Sequence, residues 1–129
     1  MNLYKKDKID EKKTVLIIDD DKNIVKLLSV FLITNKMIPI SAYSAEEGMV
    51  VTRTKKLHLI LLDIVLPELN GVAALKSIKK YAPSVPIIMI TGHDDIEVAK
   101  KCLENGACDY ITKPFDSEYL RTSILANSL

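Results

Sequence analysis

The chain has 129 residues, 48% of them hydrophobic, and this length and composition predict one compact domain with a single core. A formal net charge of +1 argues against a general nucleic-acid or membrane binder, because attraction to phosphates requires a concentrated basic surface. No hydrophobic run approaches the length of a membrane span and no signal peptide is visible, so we expect a cytoplasmic protein.

The first residues and the two cysteines carry no recognisable chemistry. Residues 1–13 are charged and contain no hydrophobic stretch, so we interpret them as a solvated tail that precedes one domain over residues 14–129. Cys102 and Cys108 lack a second cysteine or histidine cluster that could complete a zinc site, and we interpret them as reduced thiols.

Five short hydrophobic runs are predicted to form β-strands. In chain order they cover residues 14–19, 37–41, 58–63, 86–91 and 107–112. The first, third and fourth are almost continuously hydrophobic and rich in Val, Ile and Leu, which is typical of strands buried on both faces of a parallel sheet.

The segments between these runs have the periodicity of amphipathic helices. In the first helix, hydrophobic residues recur at steps of three and four and are predicted to form one buried stripe. Its members are Ile24, Leu27, Leu28, Phe31 and Leu32. The second helix is predicted to begin at a capping box formed by Ser44 and Glu47.

Start and stop signals also mark the later helices. The third is predicted over residues 71–81 and the fourth over residues 94–105. The fourth should stop at Gly106, which can adopt the left-handed conformation that ends many helices. The last is predicted to begin with Asp116 as its N-cap, and Phe115 is placed to pack back against it.

Strand and helix therefore alternate five times. With right-handed crossovers, this pattern predicts a doubly wound α/β fold, a (βα)5 flavodoxin-like arrangement with helices on both faces of a five-stranded parallel sheet. Ligands of such sheets bind at the carboxyl ends of the strands, near the point where the strand order reverses. The residues that end each hydrophobic run are thus the first candidates for a functional site.

Carboxylates, a hydroxyl and a lysine stand at these strand ends. They are Asp19, Asp20 and Asp21 after the first strand, Asp63 after the third, Thr91 after the fourth and Lys113 after the fifth. Each has an ordinary explanation alone, and Asp21 in particular suits a helix N-cap. Carboxylates that converge at one edge would be costly without a cation, and their hard oxygen atoms suit Mg²⁺. The lysine and the hydroxyl supply the charge and the hydrogen-bond donor that a phosphoryl group requires.

Four motifs resemble, in order and spacing, those of the receiver domain of two-component response regulators, the CheY-like family. They are IIDDD, LLDIVLPELNG, MITG and YITKPF, and the resemblance covers about residues 14–127. It implies that Asp63 is the phosphoacceptor. It also implies a set of Mg²⁺ ligands formed by Asp19, Asp20, Asp63 and the backbone carbonyl of Val65. Pro67 and Gly71 would shape the loop after the phosphoacceptor.

The resemblance also implies roles for residues on the later strands. Thr91 would hydrogen-bond to the phosphoryl group, Lys113 would pair with it, and Tyr110 matches the aromatic switch position. Pro114 matches a proline whose preceding peptide bond is usually cis in the family. Movement of Thr91 toward the phosphoryl oxygens would let Tyr110 turn inward, which would reshape the surface formed by the fourth helix, fifth strand and fifth helix.

By the same resemblance, the phosphoryl donor would be a sensor histidine kinase or a phosphotransfer protein. The reshaped surface would control an output partner or an output domain, and dimerisation through it is common in the family. Residues 91–115 are similar to receivers of nitrogen-regulation transcription activators, which favours part of a larger regulator over a stand-alone receiver. The domain itself would bind no nucleic acid and would not be an enzyme, although it catalyses its own phosphorylation and dephosphorylation.

Two residues flank the route by which water would attack the phosphorylated aspartate. Val65 is hydrophobic and cannot orient that water, whereas His93, two residues after Thr91, has ring nitrogens that can. We therefore expect slow to moderate self-dephosphorylation. The alternative for His93 is an exposed loop residue without a role.

Other protein classes explain fewer of these residues. A phosphatase of the haloacid dehalogenase type would use Asp19 as nucleophile and Asp21 as second acid, but Asn23 stands where its motif has threonine, and Asp63 would be unexplained. A flavodoxin-like electron carrier needs a phosphate-binding loop where this chain has carboxylates. A pseudo-receiver that works without phosphorylation is disfavoured by the complete set of candidate residues.

Overall fold

Residues 11–92 and 95–129 are described in this computed structural model. Most of the predicted tail, His93 and the predicted first residue of the fourth helix lie outside the described residues. The boundary between tail and domain therefore stays a prediction.

Strands and helices alternate through the described residues, as the hydrophobic pattern predicts. The strands are β1 (Thr14–Ile18), β2 (Ile38–Ala42), β3 (Leu59–Asp63), β4 (Ile87–Thr91) and β5 (Asp109–Thr112). The helices are α1 (Lys22–Thr34), α2 (Ala45–Thr54), α3 (Gly71–Tyr81), α4 (Ile96–Glu104) and α5 (Ser117–Asn127). All strand pairs are parallel, and the strand order β2-β1-β3-β4-β5 confirms the doubly wound α/β fold. Within the described residues, no helix is long and hydrophobic enough to cross a membrane.

The sheet separates two hydrophobic clusters, one on each face. Successive side chains of a strand point to opposite faces, so Leu16 and Ile18 enter the cluster under α2, α3 and α4, whereas Val15 and Ile17 enter the cluster under α1 and α5. Because both faces are covered, every residue of β3 and β4 is buried. The continuous hydrophobic runs in the sequence are a direct consequence of this double burial.

The stripe predicted for α1 is wrong in one member. Leu27 is 50% exposed, and Val25 is buried in its place beside Leu28 and Leu32. Consecutive residues of a helix are about 100° apart, so Leu27 is turned away from the face that is centred on Leu28. The stripe that begins at Ile24 therefore lies along the edge of the buried face of the helix, and not along its middle.

Helix starts agree with the predicted caps at three of the five helices. The Asp21 carboxylate accepts the amide of Asn23 at 2.9 Å, and the Asp116 carboxylate accepts the amide of Glu118 at 3.0 Å. Ser44 Oγ accepts the amide of Glu47 at 3.1 Å. The return bond of this capping box is displaced by one residue, because the Glu47 carboxylate accepts the amide of Tyr43 rather than that of Ser44.

The fourth helix is shorter than predicted. It begins at Ile96 rather than at residue 94, and the side chain of its N-cap residue, Asp95, accepts no hydrogen bond from the helix. Its end agrees with the prediction, since Gly106 has a left-handed φ of 105°. The prediction for Phe115 is also confirmed, because this ring packs against the cluster that contains Leu120.

Gly71 allows α3 to begin directly against the loop that follows β3. Its amide donates to the Ile64 carbonyl at 2.7 Å, and a Cβ at this position would lie 2.6 Å from the Ile64 Cα. The obstacle is backbone, which cannot rotate away. The loop-shaping role of Gly71 stays a prediction, which a Gly71→Ala variant tests.

We therefore expect Gly71→Ala to lower the free energy of unfolding by about 1–3 kcal/mol, the range for overpacked sites. Urea denaturation provides the measurement. Ser77→Ala, on the exposed side of the same helix, is the matched control and should change stability little. Equal stability of the two variants would show that the loop can move away from the added methyl group.

Candidate functional site

The candidate site lies at the carboxyl edge of the sheet, where the strand order reverses between β1 and β3. Asp63 is the last residue of β3, and Asp19 follows β1 directly. Since β1 and β3 are hydrogen-bonded neighbours, the two carboxylates are brought to the same point of the edge. The geometry that was predicted from parallel strands is present.

Three carboxylates form the centre of the site. Asp19, Asp20 and Asp63 each offer one oxygen atom, and these atoms all lie within 4.8 Å of one another. Asp19 is fully buried and Asp63 is 6% exposed, whereas Asp20 faces solvent. Hard anionic oxygens with one open side are a donor set that fits Mg²⁺, which keeps several waters in its shell. These residues could therefore hold the predicted ion.

Lys113, which follows the edge strand β5, brings a positive charge to the carboxylates. Its Nζ lies 3.3 Å from Asp19 Oδ2 and 3.7 Å from Asp63 Oδ2. The lysine follows β5, and its long side chain reaches past β4 to the edge between β1 and β3. One ammonium group contacts both buried acids and offsets part of their mutual repulsion.

The pKa of the Asp63 carboxyl is raised by its surroundings. Burial raises the pKa of the Asp63 carboxyl to about 7, and the negative charge of Asp19 acts in the same direction. The Val65 amide, which donates to Asp63 Oδ1 at 3.1 Å, and the Lys113 ammonium lower this pKa in part. A carboxyl with such a pKa is stabilised in its ionised form by any cation that binds beside it.

Thr91 and Tyr110, which are predicted to form a switch pair, lie on the neighbouring strands β4 and β5. Thr91 is the last residue of β4 and is fully buried, and its hydroxyl donates to the Gly92 carbonyl at 3.1 Å. Tyr110 on β5 is half-buried against the cluster under α2, α3 and α4. The Thr91 hydroxyl would have to leave the Gly92 carbonyl before it could donate to a phosphoryl group.

The loop between β3 and α3 is closed at its base. Val65 forms an isolated bridge with Asn70, and the Asn70 side chain caps α3 by accepting the Ala73 amide at 2.9 Å. The Val65 side chain is 60% exposed, and Pro67 is exposed at the tip of the loop. On the opposite side of the site, the Lys113–Pro114 peptide bond is cis, as the resemblance implies.

Sequence reasoning missed a polar cluster between β5 and α5. The Asp109 carboxylate accepts the Tyr119 hydroxyl at 2.8 Å and the Ser123 hydroxyl at 2.5 Å. The hydrogen bond to Asp109 raises the pKa of Tyr119 to about 12. Tyr119 and Ser123 are four residues apart and share one face of α5, but nothing in the sequence connects that face with Asp109.

A second contact that the sequence does not reveal involves Glu68, in the loop after β3. Its Oε1 atom accepts the amide of Ala45, the first residue of α2, at 2.5 Å. The two residues are 23 positions apart in the chain. Only the folded arrangement of α2 and the loop brings them together.

The fold and this arrangement of side chains define a class of protein, and comparison with known families agrees. The family model described as "Response regulator receiver domain" matches residues 15–125. The chain belongs to this family of two-component systems, as the motifs predict.

Curated relatives of the chain include transcriptional regulators. It is 33% identical over 110 residues to the transcriptional regulatory protein ZraR of Salmonella typhimurium, covering 85% of this chain and 25% of the relative. It is 35% identical over 114 residues to the alkaline phosphatase synthesis transcriptional regulatory protein PhoP of Bacillus subtilis, covering 88% of this chain and 48% of the relative. The chain thus spans between about a quarter and about half of these two relatives.

Solved structures with the same fold include other receivers. A CheY-like receiver domain protein of Methanospirillum hungatei matches with a TM-score of 0.84 and 31% identity, covering 90% of this chain and 93% of that chain. NtrX of Brucella abortus matches with a TM-score of 0.86 and 31% identity, covering 91% of this chain and 27% of that chain.

The raised pKa of Asp63 predicts how stability depends on pH in the absence of divalent cations. The folded protein keeps the Asp63 proton up to about pH 7, whereas the unfolded chain loses it near the ordinary value of 3.8. Between these values the folded state binds more protons, so the contribution of Asp63 to stability is lost as pH rises through 7. Asp63→Asn removes this loss.

In EDTA, we expect Asp63→Asn to exceed wild type in unfolding free energy by more at about pH 8 than at about pH 5. Urea titrations at both pH values provide the measurement. Glu97→Gln, which alters an exposed carboxylate on α4, is the control and should show no such dependence. A constant difference between Asp63→Asn and wild type at both pH values would contradict the raised pKa.

Proposed function

We propose that this receiver accepts a phosphoryl group on Asp63, with Mg²⁺ held by Asp19, Asp20, Asp63 and the Val65 carbonyl. The observation that carries the proposal is the position of Lys113, whose ammonium group lies between the buried carboxylates of Asp19 and Asp63. A buried acid surrounded by a lysine and two further acids is suited to phosphoryl transfer and has no evident structural use. The donor would be a sensor histidine kinase or a phosphotransfer protein.

The reaction joins two anions, so its barrier depends on charge compensation. An Asp63 carboxylate oxygen forms a bond to phosphorus while the bond from phosphorus to the donor's histidine nitrogen breaks, and that nitrogen keeps the electron pair. Lys113 stands where it can pair with the phosphoryl oxygens as they arrive. When bound, Mg²⁺ supplies further positive charge that offsets the same repulsion. The product is an acyl phosphate on Asp63.

The surroundings of the two buried acids favour Asp63 over Asp19 as the nucleophile. Asp19 has no exposed surface, and its two oxygens contact the Asp21 amide at 2.9 Å and Lys113 Nζ at 3.3 Å. Asp63 retains some exposure at the end of its strand. Asp21 is used as the cap of α1, so it is not placed as the second acid that a haloacid dehalogenase needs.

Phosphorylation would change the surface formed by α4, β5 and α5. The new phosphoryl oxygens accept hydrogen bonds, and the Thr91 hydroxyl would exchange the Gly92 carbonyl for one of them. The displacement of Thr91 gives Tyr110 room to turn further inward. This is a shift between two packings, whose extent depends on how differently each packing contacts the phosphoryl group.

The output of the switch would lie outside this domain. Similarity to transcriptional regulators, of which this chain spans between about a quarter and about half, supports control of transcription through an output domain or a partner. The domain would exert this control by protein contact, including a homodimer through the same surface, and not by binding nucleic acid itself. It catalyses a reaction only on its own aspartate, so we do not class it as an enzyme.

Incubation with acetyl phosphate and Mg²⁺ tests the proposal directly. Intact-mass spectrometry should detect one added phosphoryl group on the wild type and none on Asp63→Asn. Asp21→Asn is the matched control, because asparagine also caps helices and labelling should persist. Undiminished labelling of Asp63→Asn, or mapping of the phosphoryl group to Asp19, would contradict the assignment.

A second prediction concerns the lifetime of the acyl phosphate. The Val65 side chain is exposed and hydrophobic beside Asp63, so it cannot orient an attacking water molecule. We expect Val65→Asn to lose its phosphoryl group faster than wild type, since the amide can hold that water. Time courses of phosphoryl loss after donor removal provide the measurement, with His93→Ala tested in parallel for slower loss. Unchanged rates in both variants would refute control of lifetime by these positions.

A further inference from the structure

The loop between β3 and α3 is fixed at its base but extends away from the sheet. Its base is closed by the bond from the Gly71 amide to the Ile64 carbonyl at 2.7 Å and by the bridge between Val65 and Asn70. Leu66 is buried, whereas residues 67–69 at the tip are exposed. The base contacts hold the two ends of the loop, and a contact at the tip would further restrict its position.

Glu68 makes such a contact with the start of α2. Its Oε1 atom accepts the Ala45 amide at 2.5 Å. Ala45 is the first residue of α2, and the amides of a helix's first turn have no partner inside the helix. A carboxylate there is favoured by charge-assisted hydrogen bonding and by the helix dipole. The contact therefore joins the loop to a part of α2 that attracts an acid.

The helix that Glu68 reaches is itself held tightly on β1. Gly48 of α2 lies so close to Ile18 that a Cβ at this position would overlap the Ile18 side chain. Ile18 immediately precedes Asp19. Through α2, the tip of the loop after β3 is therefore tied to the strand that carries the other acids of the site.

We infer that Glu68 is a positioning residue that fixes the loop after the phosphoacceptor relative to the acids that follow β1. Val65 in this loop donates its amide to Asp63 at 3.1 Å and is predicted to offer its carbonyl to Mg²⁺. The inference rests on the proposed function, because the ion must be shared between the two sides of the site. Loss of the contact leaves every ligand present but lets one of them move away.

Calorimetric titration of Mg²⁺ into the unphosphorylated protein tests the inference without a phosphodonor. We expect Glu68→Ala to raise the dissociation constant by about threefold to tenfold, at or below the usual cost of losing an outer-shell partner. Glu68→Gln keeps an acceptor for the Ala45 amide but loses the charge, so its dissociation constant should lie between those of the wild type and Glu68→Ala. Ser44→Ala removes another cap from the start of α2 without touching the loop, so it should bind Mg²⁺ as wild type does.

Hydrogen exchange in EDTA provides a readout that does not depend on the ion. In Glu68→Ala, the amide of Ala45 and those of residues 65–70 should exchange faster, whereas the amides of β4 should not change. Wild-type affinity and wild-type exchange in Glu68→Ala would overturn the inference.

One further result would overturn it as well. Equal weakening of Mg²⁺ binding in Ser44→Ala would assign the effect to the stability of α2. These failures are distinct from failure of the proposed function, which would appear as absence of Mg²⁺ binding or of Asp63 labelling in the wild type.

Discussion

The burial of Asp19 and Asp63 side by side is the constraint on which the rest of the site depends. The two acids lie at the ends of neighbouring strands, where water screens their charges only weakly. Lys113 offsets part of their mutual repulsion by contacting both acids, whereas burial and, to a smaller extent, the charge of Asp19 raise the pKa of Asp63. The two ionised carboxylates are unfavourable side by side, and a cation bound beside them would stabilise their ionised forms. These carboxylates match the hard oxygen donors that Mg²⁺ prefers, and the proposed phosphoryl transfer would use that ion.

The fold tolerates the unfavourable free energy of the two buried acids because its hydrophobic core is extensive and regular. Every residue of β3 and β4 is buried, and each face of the sheet has its own hydrophobic cluster. This packing resists strand movements that would separate the crowded acids. The stabilisation from hydrophobic burial is proportional to the buried area, and that area extends over the whole sheet. The electrostatic cost of the buried acids, in contrast, is confined to one edge. The rigidity that folding requires is also what keeps the acids together.

The sequence predicted the fold and the charged centre of the site for definite physical reasons. Strands buried on both faces leave continuous hydrophobic runs, and parallel strands bring Asp63 and the residues after β1 to one edge. Leu27 was wrongly predicted as buried. Hydrophobic residues at steps of three and four show that a helix has a buried face, but they do not show which residue lies at the middle of that face. Glu68 and Asp109 could not be predicted, since each is a polar residue whose partner is supplied by tertiary packing. Short-range spacing contains no information about such pairs.

The two helices that border the proposed output surface are held to the domain in different ways. Asp116 caps α5, and the Asp109 cluster clamps its face to β5, whereas the Asp95 side chain gives the start of α4 no such support. A rearrangement that begins at Thr91 would meet less resistance in α4 than in α5. A partner that contacts both helices would therefore meet α5 in the same position in both states and α4 in a position that differs between them. Contacts with α4 would let the partner distinguish the phosphorylated from the unphosphorylated state, whereas contacts with α5 would contribute equally to its affinity for both.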